Sequence, residues 1–594
     1  MSDAGVCKIK PEFVLPEHTR ELNLDCVSDR DKRKLDDTDI SNGAEDGPDE
    51  KKSKYNQKKL KGQNKARKHT HKADYSNEAC NYLLTSLETG VAQECKRPKC
   101  PKIHEISEYM KVRPADIGDN CHVFNTFGYC NRGIACRFAK CHLDQEGNNI
   151  KDEEKMKIFD IQKQTSNAAS LDLLFALRRK KYNFDLSEKL VQHHDKLKKR
   201  NQTNGITNTT ESKEETATEQ SAGSGVVTDE DVIALLEREK KKICFKDKLY
   251  LSPLTTVGNL PFRRICKEFG VDITCGEMAM AKSILQGSTP EWALVKRHHT
   301  EDLFGVQICG NNPHMLTKCA QVLDQECNID FVDLNLGCPI DLVYREGGGC
   351  ALLHRTRILE LCVRNLNKIM KIPLTIKTRT GVYSKENVAH NLVPQFKEWG
   401  VSAVTIHGRS REQRYTRSAD WQYVQQCAEA AGDMPLFGNG DIMSYEDYKL
   451  AKETAPAISG VMIGRGALIK PWIFNEIKEQ KVWDISSSER FDLLKKYVNY
   501  GLEHWGSDNR GVENTRRFLL EWLSFLYRYV PVGLLECPPQ KINDRPPYYK
   551  GRDDMETLMA SSAATDWIKI SEMLLGPVPD NFQFLPKHKA NSYK

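Results

Sequence analysis

Cysteine and histidine crowd into the stretch from Cys80 to His142 at spacings that suit a metal ion. Cys121-x8-Cys130-x5-Cys136-x5-His142 offers three thiolates and one imidazole, the donor set of a tetrahedral Zn2+ site of the CCCH type. Its last gap is long for such a finger, which leaves Cys141 open as an alternative to His142. Upstream, Cys80-x14-Cys95-x4-Cys100-x3-His104 reads as a second, irregular copy whose first gap leaves Cys80 open. Phe124, Phe127, Tyr129 and Phe138 are interleaved with the better set, and aromatic faces suit stacking on unpaired bases. A different chemistry gathers further on, in Pro253 to Thr255, Gln307, Asn335 with Cys338, Lys377 with Arg379, His407 with Arg409, Asn439 to Asp441, and Gly464 with Arg465. The last two groups lie in glycine-rich loops, GNGDI and GRGAL, whose backbone N–H groups can cradle a phosphate where a helix begins.

Such side chains need a scaffold that brings them together. LYLSPLTT, DITCGEM, FGVQICG, FVDLNLGC, LTIKTRTG, AVTIHGRS, PLFGNGD and GVMIGRG are eight near-continuously apolar runs between Leu249 and Gly466. Buried parallel strands read this way, because both faces of the sheet are covered. Amphipathic stretches such as NNPHMLTKCAQVLDQ and SYEDYKLAKET separate them. Eight strand-and-helix units in about 220 residues predict an α/β chain with a (β/α)8 TIM barrel, and a doubly wound sheet stands second. In this barrel reacting groups collect at the C-terminal ends of strands, where the second set of residues falls, with a phosphate site after the last two strands. Past residue 484 the strands stop. Ser486 with Glu489 predicts a capping box before FDLLKKYVNYGLEHW, TRRFLLEWLSFLYRYV continues at helical spacing, and METLMASSAATDWIKISEMLLG ends at Gly576 before Pro577. Arg516 and Arg517 either face a phosphate or lie on an ordinary charged face.

The flanks read differently. Lys51 to Lys72 holds nine Lys and one Arg with no acid, a basic arm for phosphate backbone, nuclear address or solubility. Asn201 to Gly225 is too rich in Thr, Ser, Glu and Gly to bury anything and reads as a flexible linker. The expected parts are a disordered basic arm (1–75), two fingers (76–146), a charged helical segment and linker (147–243), the barrel (244–483), and a helical domain with its tail (484–594). With 88 Lys plus Arg against 82 Asp plus Glu the net charge is only +6, so any nucleic-acid surface must come from local charge. No run reaches the roughly 18 apolar residues that span a bilayer, and the first residues lack a secretion-like apolar core. A soluble protein of the cytoplasm, the nucleus or both is expected, its 20 cysteines reduced.

From Leu249 to Lys594 the chain resembles the tRNA-dihydrouridine synthases, through SPLTTVGNLPFRR, DLNLGCP, KTRTG, HGRSREQRY and GNGDI in that order. The Cys and His cluster and RRFLLEW bring it near a eukaryotic branch that carries CCCH fingers and acts at position 47, in the variable loop. The resemblance implies FMN as cofactor and NADPH or NADH as reductant. It implies reduction of the C5–C6 double bond of a uridine in tRNA to 5,6-dihydrouridine, with mRNA uridines as a further candidate substrate. Pro253, Leu254 and Thr255 are implied to meet the flavin, Gln307 to bond the isoalloxazine edge, and Lys377 to set a cation beside the ring. His407, Asn439, Gly440, Asp441, Gly464 and Arg465 fall at the remaining flavin and phosphate positions. Asn335 and Arg379 fall where the family holds the extruded uracil, and Cys338 where it keeps the acid that protonates C5 after hydride reaches C6. A thiol of ordinary pKa, about 8.5, is mostly protonated at neutral pH, and an apolar wall would keep it so. Cys350 in GGGCAL reads as packing. On a flexible linker the fingers would act as a tethered clamp that raises the local concentration of RNA. Two other readings stay open, a flavin barrel acting on a small pyrimidine and an inactive barrel inside an RNA-binding zinc-finger protein.

Overall fold

The eight apolar runs become eight strands in a computed structural model that describes residues 6–16, 76–89, 91–158, 164–192, 240–415, 417–579 and 582–587. They are β1 (Lys248–Leu251), β2 (Ile273–Cys275), β3 (Leu303–Cys309), β4 (Phe331–Asn335), β5 (Leu374–Arg379), β6 (Ala403–His407), β7 (Leu436–Asn439) and β8 (Gly460–Ile463). Each pairs in parallel with the next, and β8 pairs back to β1, so the sheet closes without an edge. Helices α1 (Leu260–Glu268), α2 (Pro313–Glu326), α3 (Thr356–Ile369), α4 (Ala389–Glu398), α5 (Trp421–Ala431) and α6 (Tyr445–Thr454) wrap the outside. Several begin where a short polar side chain accepts the N–H of its third residue: Asn259 for α1, Asn312 for α2, Asp420 for α5 and Ser444 for α6. The barrel is the (β/α)8 fold expected, and the doubly wound alternative falls.

Side chains alternate along each strand, so every second residue points into the cylinder. Its N-terminal end is plugged by Phe245, Tyr250, Phe331 and Phe437, whose rings meet edge to face at 5.7–6.2 Å. The opposite end is polar. Asn335 stands beside Lys377 in register, and Arg379 and Asn439 both stand beside His407.

Beyond the barrel, α7 (Ser487–Trp505), α8 (Asn509–Leu526), α9 (Asp554–Ala560) and α10 (Ala564–Leu575) form the helical domain. The Ser486 and Glu489 capping box forms as expected. The last apolar run divides into two helices at Ser561, whose carbonyl takes the Trp567 indole N–H at 2.8 Å. Fully buried Trp522 seals the domain to the barrel by donating its indole N–H to the Leu468 carbonyl at 3.0 Å. Arg516 turns inward, donating to Ser571 Oγ and to the carbonyls of Leu575 and Gly576, so it caps α10 and does not face a phosphate. No helix among the described residues is long and apolar enough to cross a membrane.

Three segments depart from expectation. Residues 6–16, read as part of a disordered arm, lie along the helical domain: the N–H groups of Cys7, Lys10 and Leu15 donate to the carbonyls of Arg545, Leu534 and Tyr548. Residues 164–192, read as a charged segment leading into a linker, strap the barrel. Thr165–Ser166 pairs with Arg297–His298, Leu174 and Leu177 are buried, and Ser187 bonds Gln321 on α2 through both its N–H and its hydroxyl. The better finger docks on the turn between α7 and α8, where Arg137 N–H donates to Ser507 O at 2.8 Å and its guanidinium to Asn509 Oδ1 at 2.5 Å. His122 reaches Glu503 at 2.7 Å beside it. A clamp on a free tether is therefore corrected for this finger, which is part of the folded body. The basic stretch Lys51–Lys72 and the linker Asn201–Gly225 lie outside the described residues.

Candidate functional site

The loop after β4 is a tight turn built by one side chain. Asn335 Oδ1 accepts the N–H groups of Gly337 and Cys338 at 3.1 and 2.9 Å, which folds NLGC over the strand end and sets the thiol at the barrel mouth. Cys338 is 7% exposed and walled by Cys309, Val343, Met278 and Met280. That burial pushes its thiol up, against the opposing pull of the Ile340 N–H and of Arg379 and Arg411. The apolar wall expected for a proton-donating thiol is present. Cys350 is fully buried, as a packing residue should be.

Around it stand the groups from β5 to β8. Arg379 is fixed by donating to Gly337 O at 2.8 Å and Ser410 O at 3.2 Å. Lys377 Nζ lies 3.4 Å from Asn439 Oδ1, and Asn439 is itself held by donating to Met462 O at 2.8 Å. Burial first and Arg379 second push the Lys377 ammonium down to about 8. His407 is pushed well down by burial and then by Arg379, Lys377, Arg409 and Arg465, which keeps it neutral, and its Nε2 takes the Arg409 N–H at 3.3 Å. In the last loops Asp441 binds the guanidiniums of Arg409 and Arg465, the latter at 2.8 Å, and also accepts the Ala419 N–H. Gly440 has φ +141°, and a Cβ there would fall 2.5 Å from that of Ala419, so no other residue fits. A Cβ at Gly464 would meet Ser252 and Leu254 at 3.6 and 3.7 Å, ordinary contact distances.

On the far side of the mouth, Pro253, Leu254 and Thr255 form the loop after β1, closed by the Gly258 N–H on Leu254 O at 2.7 Å. The next residue, Thr256, has φ +77°, and its hydroxyl accepts from Lys587 of the C-terminal tail at 3.0 Å. Gln307 and Asn335 do not stand free in the mouth, since their amides bond each other at 2.8 Å. Beneath them Asp333, a residue sequence reasoning passed over, accepts from Gln307 at 2.7 Å. Its signal was present: a carboxylate in the middle of an apolar strand must have buried partners.

The arrangement gathers Lys377, Arg379, Arg409 and Arg465 at the mouth, the last two paired with Asp441 and Asp333 lying one layer below. Such a mouth suits a phosphate and an electron-accepting ring whose reduced form is anionic.

The metal-ligand sets also assemble. The ligand atoms of Cys121, Cys130, Cys136 and His142 lie within 4.8 Å of one another, and so do those of Cys80, Cys95, Cys100 and His104. Cys141 is turned away, its sulfur accepting the Cys121 N–H at 3.2 Å, so the fourth corner falls to His142. His142 Nε2 is buried without a hydrogen-bond partner while Nδ1 lies 2.9 Å from Asn149 Oδ1. An imidazole with one nitrogen braced by an outer partner and the other aimed bare at three thiols is arranged as a metal ligand. Asn149, which sequence reasoning also missed, donates in turn to Cys130 O at 2.7 Å.

Comparison with known proteins bears on the same residues. Residues 250–523 match the family model for dihydrouridine synthase. A Xenopus tropicalis protein named tRNA-dihydrouridine(47) synthase [NAD(P)(+)]-like is 53% identical over 566 residues, covering 94% of this chain and 87% of that one. The chain belongs to the dihydrouridine synthase family. A human relative of the same name is 51% identical, covering 91% of this chain and 85% of its own, and one from Arabidopsis thaliana is 43% identical, covering 84% and 83%. As a dihydrouridine synthase the chain is an enzyme, and the inactive-barrel reading is set aside.

Proposed function

We propose that this dihydrouridine synthase reduces the C5–C6 double bond of a uridine in tRNA, at position 47, and that the Cys338 thiol supplies the proton. The observation that carries the reading is the placement of a buried, protonated thiol at the barrel mouth beside Arg379, with Lys377 on the neighbouring strand. The donor set fits FMN. Lys377, His407 and Asn439 would line the ring, Pro253, Leu254 and Thr255 would close over it from β1, with Gln307 below the edge, and Gly440, Asp441, Gly464 and Arg465 would frame its phosphate. When bound, FMN would supply hydride to C6 of the base from NADPH or NADH.

The rest falls to this chain. Reaching C5 and C6 requires a base extruded from its stack, which costs a few kcal/mol. Arg379 and Asn335 would receive it, the guanidinium facing one uracil carbonyl and the second Nδ2–H of the Asn335 amide, whose other groups hold Gln307 and the Cys338 turn, facing another. Cys338 would then give its proton to C5 on the face opposite the hydride, and Arg379 and Arg411 would stabilise the thiolate left behind. Protonation from solvent restores the thiol. The fingers would hold Zn2+ through Cys80, Cys95, Cys100 and His104 and through Cys121, Cys130, Cys136 and His142, presenting Phe124 and Tyr129 to unpaired bases. Uridines in single-stranded loops of mRNA fit the same chemistry.

Cys338→Ala should keep yellow flavin absorbance and tRNA affinity while dihydrouridine formation falls at least a hundredfold. Turnover within threefold of wild type would remove the thiol from the mechanism. Assaying unmodified tRNA, the same tRNA with cytidine at position 47, and free uridine separates the RNA reading from a small-pyrimidine enzyme, which would reduce the last as readily as the first.

A further inference from the structure

One charged group in the barrel is unexplained by the reaction as drawn. Asp333 sits one layer below the mouth in the centre of β4, 1% exposed. Its Oδ1 accepts Thr375 Oγ1–H at 2.7 Å and its Oδ2 accepts Gln307 Nε2–H at 2.7 Å. Burial pushes its carboxyl up, while the Gln307 and Thr375 donors and the Lys377 charge pull it back toward the ionised form, in which both oxygens accept. From there the hydrogen bonds run one way. With its Nε2 committed downward, Gln307 turns Oε1 up to accept Asn335 Nδ2 at 2.8 Å, and Asn335 Oδ1 is thereby left to hold the Gly337 and Cys338 N–H groups. An amide has a donor end and an acceptor end, so inverting either one breaks the turn that carries the thiol.

Asp333 also faces a charge. The groups around Lys377 are Arg379, Asp333, Cys350, Cys275, His407 and Asn439. Asp333 stands in register with Thr375, two residues before Lys377 and on the same face of β5; Arg379 disfavours the ammonium, and among these groups Asp333 is the carboxylate that opposes it.

We propose that Asp333 is the positioning residue of this site: its carboxylate orients the Gln307 and Asn335 amides that hold the Cys338 turn, and its negative charge offsets Arg379 at Lys377. The proposal deepens the dihydrouridine synthase reading and rests on it for the roles of Cys338 and Lys377.

Asp333→Asn keeps the shape and removes the charge. Its amide has one acceptor oxygen for two donors, so either the Thr375 hydroxyl rotates to accept from the new NH2 or the Gln307 amide inverts, and the fold is kept while the direction of the amide chain is no longer imposed. In full-length protein stripped of flavin, competitive acetylation of Lys377 against pH, read by mass spectrometry, reports the lysine directly. Its midpoint, about 8 in wild type, should move down by about one pH unit, the order expected when one nearby opposite charge is removed. In the loaded enzyme kcat on tRNA should fall tenfold or more while KM stays within twofold. Thr375→Val removes one of the two donors that keep the carboxylate ionised, and should move the labelling midpoint the same way. An unmoved midpoint in whichever variant folds overturns the electrostatic part, and kcat within twofold of wild type in Asp333→Asn overturns the positioning part. Wild type that makes no dihydrouridine in tRNA would sink the functional reading, yet the labelling midpoint would still decide what Asp333 does to Lys377.

Discussion

Cys338 and Lys377 are tuned in opposite directions by the same burial, and the pH behaviour of the site follows. Desolvation disfavours whichever form is charged, so it holds the thiol protonated and pushes the ammonium toward neutrality. The folded state therefore offers a cation at Lys377 below pH about 8 and loses it as pH rises through that value, while the thiol stays protonated across the same window. Flavin-stripped protein should accordingly bind FMN about tenfold more weakly at pH 9 than at pH 7, measured by fluorescence quenching, and Lys377→Met should flatten that dependence. Flat binding in wild type would mean that the ammonium does not face the flavin. The reactive residues were legible because strand ends can be read off apolar runs, and a family pattern gives NLGC and KTR their roles. What Asp333 and Asn149 do was not, even where a buried carboxylate could be suspected, because each acts through a neighbour that only folding supplies: Gln307 from the adjacent strand, and His142 from across a finger loop.

Among the elements, the loop after β7 is the most constrained. Gly440 at φ +141° and Asp441 at φ +55° both occupy conformations that most residues avoid, and Asp441 holds two arginines from there. Gly440→Ala should cost about 1–3 kcal/mol from backbone strain alone, with the clash against Ala419 added, and FMN affinity should fall with it. A denaturant midpoint and an FMN titration on the same sample would check both, and an unchanged midpoint would show that the loop yields. The seam between barrel and helical domain hangs on α8. Trp522→Ala removes a fully buried indole and its bond to Leu468, a loss of about 3–5 kcal/mol that thermal melting would register. All eight strands could be read because each is a short apolar run buried on both faces. The break at Ser561 could not, since ASSAAT is compatible with a helix until Trp567 finds the Ser561 carbonyl. Residues 6–16 and 164–192 hid for a related reason: their few apolar positions are diluted by charge, and their partners lie more than a hundred residues away.

At the scale of the whole molecule, composition suggested beads on a string, whereas the described parts form one body. Arg137, His122 and Cys130 of the better finger meet Ser507, Asn509 and Glu503 at the α7 to α8 turn, and residues 6–16 and 164–192 bind the helical domain and the barrel. A tether and a docked body differ in what they require of the linker. A clamp that works through effective concentration is lost once the covalent connection is cut, because nothing else keeps it near. A docked finger stays, held by its own hydrogen bonds and by the buried surface of two straps. A protease site placed between residues 201 and 225 and then cleaved should therefore leave the two fragments eluting together, with tRNA affinity within about twofold of the intact chain. Arg137→Ala combined with His122→Ala should weaken that association after cleavage while leaving flavin absorbance unchanged, because neither residue approaches the barrel mouth. Fragments that separate on cleavage without any substitution would show that the contacts at Ser507 and Gln321 are too weak to hold the assembly, and that the linker carries the finger after all.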